Sequence, residues 1–446
     1  MTVSCRIKLV FLFFIINIGS IGAQNIESLD DCIRYAKENS LKMKNSQIDN
    51  NIAKQDVYTA WKDFLPSINT YSSVGKHFGR SVDPKSNLYT SSSFDKSTFG
   101  MLVSIPVFDG FTRLNKLHLS KIKEEISSLN IELEEDKVVC DVIENFYHCC
   151  LKNKEAELAT AQRKLSERYH EQMIVYVKLG LRSKSDSLEM VSRLQSDLLK
   201  EKESSAFYLI SLLELKEKLN TKETDSLKID SISFSYEMPI FSEEELAVTN
   251  VFQMAQKYLP QFKIMELREK VSGKSLSIVR GSFFPSINAE FHLNTGYYGT
   301  INNDGKVISF QNQLKNNMSR FIGINVTFPI SDVFTRASQL RKEKLKIRQL
   351  KNENELLRLE LYNKIEKAII SLQTEVEELH QLKQQIVLTK QVLSENETKW
   401  DEGLISVFEL IEKRNLYFEA QVMYYQSMLQ CDLKTRIVKY YCTGNF

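Results

Sequence analysis

Few residues of this chain have the type and spacing that chemistry requires. Glu409 and Glu412 lie three positions apart, so a helix would present both carboxylates on one face. Ser406 precedes Glu409 by three residues, which is the spacing of a helix-capping box, and Ser183 and Asp186 nearly match it. Two interpretations of these carboxylates follow. They cap helices or are simply solvated, or they form a functional charged surface.

A second group of candidates contains His148, Cys149 and Cys150, with Cys140 upstream. Adjacent positions on a helix point about 100° apart, so Cys149 and Cys150 do not readily share one site. The Cys-x-x-Cys spacing of metal sites is absent, and buried cysteine in helices is common. We therefore expect neither a metal site nor a cofactor.

The wider sequence excludes other classes of function. It has no phosphate-binding glycine loop, no nucleophile elbow and no His-Glu-x-x-His motif, so we expect no enzymatic activity. The net charge of +2 over 446 residues provides no electrostatic basis for binding nucleic acid.

The elements that must position these residues occur twice. The segment 64–69 (FLPSIN) recurs as 283–288 (FFPSIN), and 106–113 (PVFDGFTR) recurs as 329–336 (PISDVFTR). The segment 179–183 (LGLRS) recurs as 402–406 (EGLIS). The three pairs keep their order, with a period far longer than that of solenoid repeats. We predict a first repeat at 24–220, a linker at 221–242 and a second repeat at 243–446.

The N-terminus has the features of a secretory signal peptide. Arg6 and Lys8 precede an apolar run at 9–16, and a cut before Gln24 would leave a mature chain without an N-terminal lipid anchor. We assign the signal peptide to 1–23. No other apolar run reaches the ~18 residues of a membrane-spanning helix, so entry into a membrane would require strands. Whether the six remaining cysteines form a bridge or two stays open.

Helix and strand patterns alternate within each repeat. Residues 111–179 and 333–402 contain neither proline nor glycine, and each stretch predicts a helix about 100 Å long. Shorter helices are predicted at 28–62 and 185–220, and at 243–281 and 407–441 in the second repeat.

Strands are predicted at about 66–79, 97–108, 285–298 and 319–330, with polar hairpin loops at about 79–96 and 299–317. Three of them alternate apolar and polar residues at period two, as in a strand with lipid on one side and water on the other. The strand near 67 alternates poorly and is placed by its match to the second repeat. Four strands cannot close a barrel, so we expect several chains to combine theirs.

This order of elements, duplicated over nearly the whole mature chain, resembles the TolC family of outer-membrane efflux channels. The resemblance implies a mainly α fold with membrane β structure. Long antiparallel helices would form a periplasmic α-barrel, and four strands per chain would contribute to a trimeric, 12-stranded outer-membrane β-barrel. It also implies a homotrimer that contacts outer-membrane lipid and receives cargo from a periplasmic adaptor and an inner-membrane transporter.

The resemblance assigns roles to the helix-ending turns. Gly180, Leu181 and Ser183, with Gly403, Leu404 and Ser406, match the periplasmic tip on which the adaptor docks. Asp186, Glu409 and Glu412 match positions that gate the tunnel entrance. This chain has Glu where better-known members carry Asp, and Ile405 where some carry an arginine.

The rival interpretation is a secreted coiled-coil scaffold without channel activity. Long helices alone would support it, whereas the paired alternating strands ahead of each long helix argue against it. The sequence does not identify the cargo or the class of transporter.

Overall fold

The computed structural model of the chain describes residues 28–79, 81–82, 89–90, 93–221, 246–299 and 309–446. The predicted signal peptide and nearly all of the predicted linker lie outside the described residues. The chain divides into two compact units. The helical unit comprises Met1–Gln47, Ile131–Pro260 and Leu359–Phe446, and the sheet unit comprises Ile48–Asn130 and Gln261–Arg358.

The elements follow one another in the predicted alternation of helices and strands. In chain order they are α1 Leu29–Asn39, α2 Leu41–Lys62, β1 Ser67–His77, β2 Ser81–Val82, β3 Tyr89–Thr90, β4 Phe94–Phe108, α3 Thr112–Lys178, α4 Lys184–Leu219, α5 Val248–Tyr258, α6 Pro260–Gly281, β5 Ser286–Tyr298, α7 Phe310–Asn316, β6 Ser319–Thr327, α8 Val333–Asp401 and α9 Val407–Thr443.

The two longest helices lie where the absence of helix breakers predicts them. α3 has 67 residues and α8 has 69, so each is about 100 Å long. None of the helices in the described ranges combines the length and the low charge needed to cross a bilayer.

The shorter helices differ from the prediction, because each of the two that precede a strand is broken. Ser40, with ψ of 125°, leaves the helical conformation and ends α1. Its N–H donates to Ala36 O, and its Oγ accepts from the N–H of Met43 in the next helix. Leu259 is extended because it precedes Pro260, which begins α6 without needing an N–H donor. Continuous helices at 28–62 and 243–281 were therefore wrong.

The four long strands form one antiparallel sheet in the order β1-β4-β5-β6. Two hairpins, β1–β4 and β5–β6, join through a β4–β5 junction that begins with Lys96 opposite Tyr298. Strand β4 starts at Phe94, three residues earlier than expected. The short strands β2 and β3 pair with each other in part of the first predicted loop.

The sheet has one apolar and one polar face. A row across the four strands places Ile68 beside Val103, then Phe291, then Ile322. On the opposite face, one row contains Ser67, Ser104, Glu290 and Gly323. Another row on that face, which contains Asn69, Leu102, His292 and Phe321, mixes polar and apolar residues. Alternate residues of β4, β5 and β6 lie on opposite faces, as predicted. The register assigns the residues of β1 to the same two faces, although its own sequence alternates poorly.

The second predicted loop contains a helix that the sequence did not indicate. In α7, the Gln313 side chain accepts from the N–H of Tyr298 at 3.0 Å and donates to its carbonyl at 2.9 Å. Asn317 donates to the carbonyl of Gly296 at 2.8 Å. Strand β6 begins at Ser319, opposite Asn294, so it does not pair with the last residues of β5. The side chains of Gln313 and Asn317 bind the backbone there instead.

A core of the helical unit packs α1 against α3 and α4, with Cys32, Cys149 and Cys150 buried in it. All six described cysteines are free thiols. Burial raises the pKa of Cys32 and of Cys150 to about 12, which disfavours the reactive thiolate. Among the described residues, no group of three or more His, Cys, Asp and Glu side chains has the arrangement to hold a metal.

Candidate functional site

The turn at Leu179–Ser183, called the first turn below, ends α3. The N–H of Gly180 donates to Val177 O at 3.1 Å and that of Leu181 to Tyr176 O at 2.9 Å. This pair of bonds is a Schellman motif, which requires a left-handed residue, and Gly180 has φ of +74°. Glycine therefore sets where the helix stops.

The turn at Glu402–Ser406, called the second turn, repeats this backbone. Gly403 has φ of +78° and donates to Trp400 O at 3.0 Å, and Leu404 donates to Lys399 O at 2.8 Å. Leu181 is 67 % exposed and Leu404 is 70 % exposed. The two turns thus present matching leucines to solvent on matching backbones.

The caps of the following helices differ. Ser183 Oγ accepts from the N–H of Asp186 and the Asp186 carboxylate accepts from the N–H of Ser183, both at 3.1 Å, which completes a capping box. Ser406 Oγ accepts from the N–H of Glu409 at 3.2 Å, while the Glu409 side chain is exposed. The reciprocal box therefore forms at the site where the sequence match was weaker.

The predicted gate carboxylates have separate surroundings. The Asp186 carboxylate accepts the capping hydrogen bond from Ser183, whereas the Glu412 carboxylate is exposed and lies 3.0 Å from the ammonium of Lys413. Glu409 and Glu412 share one exposed face of α9, as their spacing predicts. Within one chain, they form a solvated acidic surface partly neutralised by Lys413.

Arg182 links the two turns, a role that the sequence pattern alone does not reveal. Its guanidinium donates from Nη1 to the carbonyl of Ile405 at 3.1 Å and from Nη2 to the carbonyl of Trp400 at 3.0 Å. The first turn is thereby tied to the backbone of the second. One feature of the sequence could have indicated this contact: the two turn segments, LGLRS and EGLIS, differ where Arg182 aligns with Ile405.

A hydrophobic core supports the turns. Trp400, buried at the end of α8, packs against Tyr169 and Tyr176 of α3 with ring centroids 5.2 and 5.8 Å apart. Met173, Met190 and Leu410 complete the contact between the helices that enter and leave the turns. This packing fixes the backbone to which Arg182 binds.

Farther from the turns, a buried polar network joins α3, α4 and α9. Arg414 and Asp197, 3 % and 2 % exposed, form an ion pair of 2.8 Å. Arg414 also donates to Ser166 at 2.5 Å, and Arg193 lies 3.0 Å from the second oxygen of Asp197. Burial lowers the pKa of Arg414, and the Asp197 carboxylate opposes that shift.

No family model matches the chain, and neither does any curated protein. Solved structures do match it. The CmeC outer membrane channel of Campylobacter jejuni is 14% identical, with TM-score 0.76, over 94% of this chain and 86% of that one. The protein has a TolC-like fold.

Two further outer-membrane proteins share this TolC-like fold. VceC of Vibrio cholerae is 10% identical with TM-score 0.77, over 94% of this chain and 96% of that one. The MtrE channel of Neisseria gonorrhoeae is 13% identical with TM-score 0.73, over 94% and 89%. The predicted fold class, with long helices and four strands contributed by one chain, is confirmed.

Proposed function

We propose that this protein is an outer-membrane exit duct of a tripartite efflux or type I secretion system. It receives substrates from a periplasmic adaptor and an inner-membrane transporter and releases them outside the cell. In this proposal the sheet lies in the outer membrane, and most of the helical length lies in the periplasm.

The observation that carries the proposal is the exposed apolar face of the sheet. Ile322, Ile324 and Ile68 lie on this face and are all exposed, Ile322 by 82 %. Leaving such side chains in water forfeits about 1.5–3 kcal/mol each relative to burial. Contact with lipid removes that cost, while the opposite face, which includes Asn69, Asn325 and Glu290, suits a water-filled lumen.

Four strands leave two open edges, at β1 and β6, and an open edge in lipid has unsatisfied backbone groups. Several chains must therefore close one barrel. The TolC-like fold supports a homotrimer with twelve strands, which lies above the practical minimum of about eight.

The two turns form the proposed docking tip for the adaptor. Leu181 and Leu404 are exposed, and neither glycine has another group within 4 Å of the position a Cβ would take. Gly180, Leu181 and Ser183, with Gly403, Leu404 and Ser406, would form this surface. Asp186, Glu409 and Glu412 would form the charged entrance beside it, where carboxylates from three chains would favour cations.

Reconstitution tests the function directly. The purified protein should require detergent for extraction, should insert into planar bilayers and should produce low, cation-selective conductance. A chain that stays soluble without detergent and produces no conductance would instead be a periplasmic scaffold.

A further inference from the structure

Two aromatic rings lie flat against the polar face of the sheet, each over a glycine. The first belongs to Tyr71 of β1, which lies opposite Gly100 of β4, and Gly100 in turn lies opposite Asn294 of β5. The Tyr71 hydroxyl donates to Asn294 Oδ1 at 2.7 Å, so the tyrosine side chain crosses the whole of strand β4. Such a crossing requires that the residue beneath the ring have no side chain.

Gly100 is the residue that permits the crossing. A Cβ on Gly100 would lie 2.6 Å from the hydroxyl oxygen of Tyr71 and 2.6 Å from Asn294 Oδ1, which is closer than Cβ atoms approach other heavy atoms. Gly100 does not have a positive φ, so alanine would fit its backbone. The atoms in the way are the ends of side chains. An alanine at this position would therefore displace the tyrosine and leave the strand in place.

Phe321 of β6 has the same relation to Gly323, two residues later on the same strand and the same face. A Cβ on Gly323 would lie 2.7 Å from the Phe321 ring carbon Cε1. On its other side the ring meets His292 of β5 edge to face, with centroids 5.4 Å apart and an interplanar angle of 83°. The phenylalanine ring is therefore held between an imidazole and bare backbone.

Burial does not explain why these rings lie flat. Tyr71 is 51 % exposed and Phe321 is 58 % exposed. Side chains of a strand normally stand roughly perpendicular to the sheet. Both rings depart from that direction, and each does so where a glycine leaves room beside the backbone. The feature that the two sites share is a large side chain kept close to the sheet surface.

The long polar side chains of this face also lie along the sheet. Glu290 accepts a hydrogen bond from Asn325 Nδ2 at 3.2 Å, and its other carboxylate oxygen lies 3.1 Å from His292 Nε2. These groups bind one another across β5 and β6. Hydrogen bonds at Glu290 thus have the effect that glycines have beneath the two rings, which is to keep side chains against the sheet.

We propose that Tyr71 and Phe321 determine the size of the largest molecule that passes the sheet, and that Gly100 and Gly323 hold this limit high by letting both rings lie flat. The inference rests on the proposed function, in which the polar face lines a water-filled passage. With a side chain at either glycine, the ring above it would stand away from the sheet. It would then narrow the passage in every chain of the assembly.

Thiol labelling from outside the cell measures the size limit directly. Ser104→Cys places a reporter on the polar face of β4, four residues after Gly100 and nearer to α3. In the proposed orientation, a reagent from outside passes the Tyr71 ring before it reaches this thiol. The reagents are a small methanethiosulfonate and a series of maleimides on polyethylene glycol chains of increasing length. Protein without the reporter measures the background from the native thiols.

The variants separate the ring from the glycine. Gly100→Ala is compared with Gly75→Ala, which adds the same methyl group to the same face at a glycine that has no other group within 4 Å of the Cβ position. Tyr71→Ser combined with Gly100→Ala removes the ring that the alanine displaces. Gly323→Ala, alone and with Phe321→Ser, repeats the test at the second ring, so the inference stays testable if one alanine prevents folding.

For the longest chain that still labels the wild-type reporter, we expect Gly100→Ala to slow labelling at least about fivefold, because the flat ring conformation is no longer allowed. Gly323→Ala should have the same effect. The small reagent should label all variants at the wild-type rate. Gly75→Ala should behave as the wild type, and Tyr71→Ser with Gly100→Ala should label at least as fast as the wild type.

An unchanged size limit in Gly100→Ala and Gly323→Ala, with the small reagent still reaching the reporter, would overturn the inference. So would a loss that Tyr71→Ser does not rescue, since the sheet and not the ring would then be responsible. A wild-type reporter that even the small reagent fails to reach would have a different meaning. It would show that the polar face lines no open passage, and it would overturn the proposed duct.

Discussion

The two turns share a backbone and differ in side-chain contacts. Both end a long helix through a glycine with positive φ, and both expose a leucine. Only the first turn has Arg182, whose guanidinium reaches across to the second. Duplication therefore preserved the shape of the surface, while divergence supplied the contact that joins its two halves.

The buried network shows the same divergence in the core. Asp197 on α4 aligns with Ala420 on α9, whereas Arg414 on α9 aligns with Val191 on α4. One repeat thus provides the acid and the other the base of a single ion pair. Neither repeat alone could form it, so the pair ties the return helices of the two repeats together.

The largest effect is expected at the exposed leucines. If both turns dock the adaptor, Gly403→Glu with Leu404→Glu should abolish export, and Gly180→Glu with Leu181→Glu should do the same. Charge would then occupy an apolar contact. Because glutamate is strained at the positive φ of Gly180 and Gly403, Leu181→Glu and Leu404→Glu alone serve as the matched controls. Export assays with native electrophoresis measure this. Full export by either assembled double variant would contradict the equivalence of the turns.

The next effect concerns the buried pair. Arg414→Met should lower the free energy of unfolding by about 3 kcal/mol, the low end of the range for a broken buried pair, because Asp197 loses Arg414 but keeps Arg193 and Ser166. Asp197→Ala added to Arg414→Met should recover part of the loss. Unfolding midpoints in detergent measure both. A double variant as unstable as the sum of the two single variants would show that the pair is not coupled.

A smaller effect is expected from the link between the turns. Arg182→Ala should destabilise the contact by about 1–3 kcal/mol, since two hydrogen bonds from a charged donor are lost. Arg182→Lys should not restore it, because one ammonium lacks the planar fork that reaches two carbonyls. Amide hydrogen exchange at the second turn should rise in both variants. The matched control is Ile405→Ala, which leaves the link intact, and equal exchange in all three would refute the link.

The smallest effect belongs to the acidic face of α9. Glu412→Gln should reduce the cation selectivity of the conductance and the block by divalent cations, most clearly at low ionic strength, where screening is weak. Glu412 is the cleaner test because Glu409 lies in the first turn of α9, where its carboxylate stabilises the helix N-terminus. Unchanged selectivity and block in an intact trimer would make Glu412 an ordinary solvated residue.

Local sequence patterns predicted the long helices, the four strands and both turns. Each of these elements forms through interactions between residues that are close along the chain. Pro260 carried a visible signal for a helix break that the prediction of one helix at 243–281 ignored. The division into repeats at 221–242 stays a prediction, as do the docking and gating roles of the site residues.

The sequence by itself determined where the two long helices stop and which face of β4, β5 and β6 is apolar, because glycine conformation and side-chain alternation act locally. Only the tertiary structure decided that β4 pairs with β5, that Arg182 meets the carbonyls of Trp400 and Ile405, and that Arg414 finds Asp197. These partners are about 200 residues apart along the chain. Their contacts depend on how the repeats pack, and no local pattern encodes that.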